Sequence, residues 1–232
     1  MIEVSVIIPI YKSQLTDSES RSFKQCLDIL GNHPLMLVAP NGLDTTVYEN
    51  IAGRNLQRTY FNKRYFTSVS GYSELLLSKK FYCQFEAYEY ILIYQLDAWV
   101  FRDDLSYWCE KNYDYIGAPW LEAPPITSDK KPLINISNFL KNKVGNGGLS
   151  LRKVKTHIRW AWWVFFLFKL FPKNEDILWT LFVPFKKPNE MEALHFAFEL
   201  NPKQSYELLN EQLPFGCHAW EKYDPIFWKR FI

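Results

Sequence analysis

Cysteine is scarce: the four residues at 26, 83, 109 and 217 are far apart, with no Cys-x-x-Cys spacing and no paired histidines. That spacing excludes a zinc cage and a dithiol redox motif, and isolated cysteines of this kind are expected to be reduced, mostly buried and in a cytoplasmic setting. An excess of one charge is also missing. Twenty-seven basic residues face 25 acidic ones, a formal charge of +2, which excludes the broad cationic face that a nucleic-acid partner needs. Long apolar runs are absent as well. The longest, Trp160 to Phe168, falls short of the roughly 20 residues that cross a bilayer. The first residues, Met1-Ile-Glu-Val-Ser-Val-Ile-Ile-Pro, lack the basic flank and cleavage site of a signal peptide, so the mature chain is expected to start there.

What is abundant is aromatic. Nine Trp, 14 Tyr and 18 Phe make up 18% of 232 residues, while the 48% hydrophobic and 22% charged fractions are ordinary. Flat rings suit sugars and bases, and they suit cores equally. The length fits one α/β domain, here taken as residues 1–232.

Val4 to Ile10 is an apolar, β-branched run stopped at Pro9 to Tyr11, the pattern of a strand buried on both faces of a parallel sheet. Asp17 or Ser18 can cap a helix with Phe23, Cys26, Leu27 and Leu30 at helical spacing and Gly31 as its stop. Leu35 to Ala39 reads as a second strand, and strand, helix and strand in that order form a right-handed parallel unit. A helix from Ser70 through Leu75, Leu76 and Leu77 and a strand Tyr90 to Tyr94 follow, closed by Gln95-Leu96-Asp97. In open α/β sheets ligands bind beyond the carboxyl ends of strands, where Asp97 would stand. Tyr113 to Gly117 offers another short strand, and the proline-rich stretch 119–143 reads as a long functional loop. Residues 153–173 form an aromatic helical segment, edged by Arg152, Lys153, Lys155, Arg159, Lys169 and Lys173. Basic flanks around Trp and Phe suit a helix lying in a membrane interface, and a buried core helix is the competing expectation.

Four groups stand out together: Tyr-Gln-Leu-Asp-Ala (94–98), Gly-Asn-Gly-Gly-Leu-Ser-Leu-Arg (145–152), Asn-Glu-Asp (174–176) and Phe-Gly-Cys-His-Ala-Trp (215–220). In this order, behind Val-Ser-Val-Ile-Ile-Pro-Ile-Tyr, they resemble the GT-A glycosyltransferases, the nucleotide-diphospho-sugar transferase fold. The likeness extends to a bacterial branch with Gln-x-Asp-Ala and Tyr-Asp-Tyr-Ile-Gly-Ala-Pro-Trp, here at 95–98 and 113–120. The resemblance covers about residues 4 to 220. It implies a single α/β domain with a mostly parallel central sheet flanked by helices, and transfer of a sugar from a nucleotide donor to a glycan or lipid-linked acceptor in polysaccharide or glycoconjugate synthesis. The implied donor is a UDP-sugar in preference to a GDP-sugar, and the implied location is the cytoplasm, with peripheral contact to the inner membrane face.

Displacing a nucleoside diphosphate from an anomeric carbon builds charge on the leaving phosphates, which a divalent cation neutralises. In the family the strand-end turn reads Asp-x-Asp. Asp97 matches its second acid and Gln95 replaces the first, removing a charge that would help hold Mn²⁺ or Mg²⁺. His218 resembles a late histidine ligand; a hydrogen-bonded core histidine is its alternative. Asp176 resembles the base of inverting members, next to Glu175, and a helix start capped by Asn174 explains the same residues without catalysis. Gly145, Gly147 and Gly148 around Asn146 permit positive φ and close backbone approach to the donor sugar, or form a plain turn. Pro9 and Tyr11 are expected beside the base and Ser73 beside the nucleotide through a helix N-terminus. Trp120 is placed to stack on the acceptor or to anchor a loop. A glycoside hydrolase would also use two carboxylates, and a non-catalytic carbohydrate- or membrane-binding module would tolerate Gln95.

Overall fold

The computed structural model describes residues 3–122, 138–170 and 174–232. Most of the 119–143 stretch therefore lies outside the described residues, as do Phe171 to Lys173. Along the chain run β1 (Val4–Pro9), α1 (Asp17–Leu30), β2 (Leu35–Pro40), α2 (Thr46–Ala52), β3 (Gln57–Phe61), α3 (Val69–Leu77), α4 (Lys79–Tyr82), β4 (Tyr90–Tyr94), β5 (Ala98–Val100), α5 (Leu105–Glu110), β6 (Tyr115–Gly117), β7 (Pro119–Trp120), β8 (Lys143–Val144) and β9 (Leu149–Lys153). Then come α6 (Val154–Leu170), α7 (Glu175–Phe182), α8 (Glu190–Phe196), β10 (Ala197–Phe198), α9 (Pro202–Leu208), β11 (Gly216–His218) and α10 (Pro225–Trp228).

The central sheet has six strands in the order β3-β2-β1-β4-β9-β6. β3, β2, β1 and β4 pair in parallel, and β9 lies antiparallel between β4 and β6. Its inner strands are apolar on both faces because helices cover both. Val6, Ile8, Leu92 and Tyr94 join one core with Phe23 and Leu30 of α1, Tyr48 of α2 and Trp108 of α5. Ile7, Ile91 and Ile93 alternate to the other face, against Leu76 of α3, Phe81 and Tyr82 of α4, Val164 of α6 and Trp179 of α7. This is the α/β architecture expected from the sequence. A smaller sheet, β10-β11-β5, packs at the end of β4.

Local details correct the expectations. Thr16, not Asp17 or Ser18, caps α1, with Glu19 closing a reciprocal capping box. Asn174 precedes α7 without a side-chain capping bond. Arg152, read as part of a basic fringe, is fully buried; in Leu149-Ser-Leu-Arg the strand period sends both leucines to one core and Ser150 and Arg152 to the opposite face. The four cysteines are free thiols, and Cys26, Cys109 and Cys217 are buried. No helix of the described residues is long and apolar enough to cross a membrane.

Candidate active site at the carboxyl ends of the sheet

Strand pairing assembles the site from distant segments. β4 ends at Tyr94, and the turn Gln95-Leu96-Asp97 passes the chain into β5, which pairs antiparallel with β11. That register sets His218 opposite Ala98, and the Ala219 N–H donates to the Asp97 carbonyl at 2.9 Å. On the other side β9 runs antiparallel to β4, with Leu149 opposite Tyr94. The Gln95 N–H extends that ladder to the Gly148 carbonyl at 3.0 Å. The glycine run 145–148 is thus fixed beside Asp97 and His218.

His218 is the hub. Its Nε2 lies 3.2 Å from Asp97 Oδ1 and 3.2 Å from Gln95 Oε1, while Nδ1 lies 3.1 Å from Glu199 Oε1. Burial works against the charged ring, but the Asp97 and Glu199 carboxylates outweigh it and raise its pKa to about 10. For Asp97 burial again opposes ionisation, and His218 outweighs it, leaving the carboxyl below its usual range. The other Glu199 oxygen, Oε2, is buried without a partner among the described residues.

A cation fits this donor set in a limited way. A carboxylate on Nδ1 fixes a histidine's orientation, the usual outer-shell arrangement of metal-binding imidazoles, but here Nε2 is protonated and held by Asp97 and Gln95, so it could ligate a cation only on losing that proton. Asp97 Oδ1 and His218 Nε2 face each other 3.2 Å apart, and Mg²⁺-type sites with one or two protein ligands complete their coordination with substrate phosphates and water. Gln95 supplies only a neutral oxygen. Among the described residues no group of three or more His, Cys, Asp or Glu side chains could enclose an ion.

The glycines permit close packing here. A Cβ on Gly148 would sit 2.0 Å from His218 Nε2, and one on Gly147 would sit 2.4 Å from Glu175 Oε1. Asn146, 6% exposed, shapes the turn by accepting the Gly148 N–H on Oδ1 at 3.0 Å. Gly148→Ala must therefore push the imidazole aside. It is expected to cost about 1–3 kcal/mol of stability, read by denaturant unfolding, with the transition still cooperative.

The Glu175-Asp176 pair is divided by the fold. Glu175 turns inward, where Arg152 Nη2 donates to its Oε1 at 2.9 Å. Arg152 also donates to Ser150 Oγ at 3.0 Å, Tyr82 Oη at 3.0 Å and the Gly147 carbonyl at 3.3 Å, and its guanidinium lies 5.3 Å from the Tyr115 ring centroid. Asp176 is only half-buried, and its Oδ1 accepts the Ile177 N–H. Burial first, then the neighbouring Glu175 charge, hold its pKa well above the ordinary carboxylate value, and Glu199 adds in the same direction. The base candidate and the Asp97–His218 group are thus close enough to share an electrostatic neighbour.

Other expected site residues are distributed unevenly. Pro9 is buried at the end of β1, and Tyr11 just beyond it is 59% exposed. Ser73 is buried inside α3, whose N-cap is Ser68, so it does not stand at a helix N-terminus. Trp120 is 3% exposed and packs with Leu140 and Ile177, so its faces are taken by the core and it offers no open stacking platform. Sequence reasoning missed Glu199, the Arg152–Glu175 pair and Tyr72, whose buried hydroxyl lies beside Gln95. Glu199 alone carried a signal, an acid inside the apolar run Ala197-Phe-Glu-Leu.

A family model described as "Protein of unknown function (DUF5672)" matches residues 55–218. No curated protein matches the sequence. Among solved structures, the fold is similar to that of an active-site mutant of LgtC, at 13% identity and TM-score 0.58 over 92% of this chain and 86% of that one. Core-mannan synthase A from Aspergillus fumigatus in its Mn/GDP form superimposes with TM-score 0.57 at 7% identity, over 78% and 69% of the two chains. Mouse xyloside xylosyltransferase 1 gives TM-score 0.55 at 11% identity, over 94% and 97%. The fold is therefore that of GT-A-type glycosyltransferases.

Proposed function

We propose that this chain, which belongs to the DUF5672 family, is a glycosyltransferase that moves a sugar from a nucleoside diphosphate donor to a glycan or lipid-linked acceptor. The observation that carries this is one cluster at the strand ends, in which Asp97 and His218 stand over Gly148 and Asp176 follows the inward-turned Glu175 at Gly147. Glycosyl transfer needs charge stabilisation on the leaving diphosphate and a base for the acceptor hydroxyl, and the two halves of the cluster are suited to these tasks.

The donor is a UDP-sugar, with the exposed Tyr11 ring against the base beyond Pro9. Asp97, with His218 once its Nε2 proton is lost, would hold a divalent cation, Mn²⁺ or Mg²⁺, which would supply positive charge to the diphosphate. Glu199 holds the His218 ring with Nε2 toward Asp97, and the Gln95 amide and the Asn146-Gly147-Gly148 backbone line the donor side. Asp176 takes the proton of the acceptor hydroxyl as that oxygen forms its bond to the anomeric carbon and the diphosphate departs. Its raised pKa makes the carboxylate a stronger base once ionised. Attack from the face opposite the diphosphate gives inversion. Glu175, buried against Arg152, positions Asp176. Work in the cytoplasm, on an acceptor presented at the inner membrane face, is consistent with free thiols throughout the chain.

UDP with Mn²⁺ should raise the melting temperature more than GDP with Mn²⁺, and Asp97→Asn should abolish the difference made by the metal. Product anomers assigned by NMR are expected to be inverted. A retained anomer would remove the base role from Asp176.

A further inference from the structure

Among the described residues the longest helix, α6, has an unpartnered outer face of defined composition. Its 17 residues contain no acid, and its buried residues Val154, His157, Ala161, Val164 and Phe168 recur at helical spacing against the sheet. The opposite stripe, Lys155, Arg159, Trp162, Phe166, Lys169 and Leu170, is exposed. Trp162 is 68% exposed and Phe166 52%. The rings form a continuous surface, with Trp162 against Trp163 at 5.9 Å and Trp163 stacked on Phe166 at 6.2 Å. Large aromatic side chains left in water at adjoining turns of one helix are costly unless something covers them.

We propose that this stripe docks the protein on a bilayer containing anionic phospholipid, with α6 lying in the plane of the interface. Charge decides the occupant. Lysine and arginine bracket the aromatic centre at both ends of the stripe, and the acid that meets it, Glu74, is shared between Lys169 and Arg64. A second copy of this chain would bring Lys155 and Arg159 against cationic residues in either antiparallel or parallel apposition. An anionic headgroup layer accepts all of them while the indole and phenyl rings enter the acyl boundary. The stripe also ends near the candidate site. Leu170 precedes Asn174 by a stretch that spans at most about 14 Å when fully extended, so a docked α6 brings the start of α7 to the membrane surface, where a lipid-linked acceptor presents its sugar. The docking itself does not depend on the transferase reading, because it is measured without turnover.

The test is co-sedimentation of the full chain with large unilamellar phosphatidylcholine vesicles, with and without about 30 mol% phosphatidylglycerol. Binding is expected with phosphatidylglycerol, decreasing with added salt, with Trp fluorescence quenched by brominated acyl chains. Trp162→Ser with Phe166→Ser should weaken it about tenfold or more. Lys155→Gln with Arg159→Gln, which removes no packed ring, should weaken it about 10–30-fold, and it serves as the reporter if the aromatic variant fails to give a cooperative melt. Absence of wild-type binding overturns the proposal. So does binding by the charge variant equal to wild type, or a wild-type dimer in sedimentation velocity that the aromatic variant dissociates while vesicle binding is unchanged.

Discussion

Asp176→Asn is expected to lower turnover about 10²–10⁴-fold while raising thermal stability at neutral pH. The two effects have one origin. Asparagine keeps the size and the acceptor oxygen that meets the Ile177 N–H, yet cannot take a proton from the acceptor hydroxyl. Burial and the Glu175 charge raise the folded-state pKa of Asp176 well above its unfolded value, so the fold disfavours the ionised form. Its contribution to stability is fully present below the unfolded carboxyl value and is lost as pH rises through the raised folded value. The variant should therefore match wild type at acid pH and melt higher at neutral pH. On the proposed mechanism wild-type turnover should fall as pH drops through that raised value, because only a carboxylate can take the proton. Glu175→Gln removes the charge that holds the pKa up, and the acid limb of the pH–rate profile should move to lower pH. A melting temperature for Asp176→Asn below wild type at neutral pH, with turnover retained, would assign Asp176 to structure.

Arg152→Met is expected to cost about 3–5 kcal/mol of stability, because it leaves the buried Glu175 carboxylate without its counter-ion. In a domain of this size that corresponds to a drop of roughly 6–20 °C in melting temperature, a large share of the about 5–15 kcal/mol that holds a domain together. All three guanidinium nitrogens of Arg152 have partners, and methionine can fill the space without replacing the donated hydrogen bonds. The double variant with Glu175→Gln should recover much of the loss, since the penalty lies in the unpaired charge. Denaturant unfolding of the two single variants and the double one reads the coupling directly. Additive losses would show that Arg152 stabilises through packing and its bonds to Ser150, Tyr82 and Gly147 and not through the Glu175 charge.

The parts of the fold legible in the sequence are those where burial dictates composition. Val4 to Pro9 and Tyr90 to Tyr94 were readable because strands covered on both faces must be apolar throughout. β3 was not, since Gln57-Arg-Thr-Tyr-Phe lies on a sheet edge and is mostly exposed. Asp97 was readable as an acid that ends a strand. Its meeting with His218 was not, because it depends on β5 pairing with β11 across more than half the chain. Arg152 misled because arginine beside an aromatic helix looks like a membrane fringe, while strand alternation sends it inward to Glu175. Trp120 misled in the opposite way: an aromatic residue after Gly-Ala-Pro looks like a platform, and packing on Leu140 and Ile177 covers it. Of the aromatic excess, a share is structural, as in Trp179 stacked on Phe185 at 5.4 Å, and Trp162 and Phe166 stay outside.

The most direct measurement is release of nucleoside diphosphate from a panel of UDP- and GDP-sugars by the full chain, with and without Mn²⁺. The expected result is release from a UDP-sugar that depends on the metal and disappears in Asp97→Asn. The contradicting result is release from no nucleotide sugar in the panel, or release that Asp97→Asn leaves unchanged.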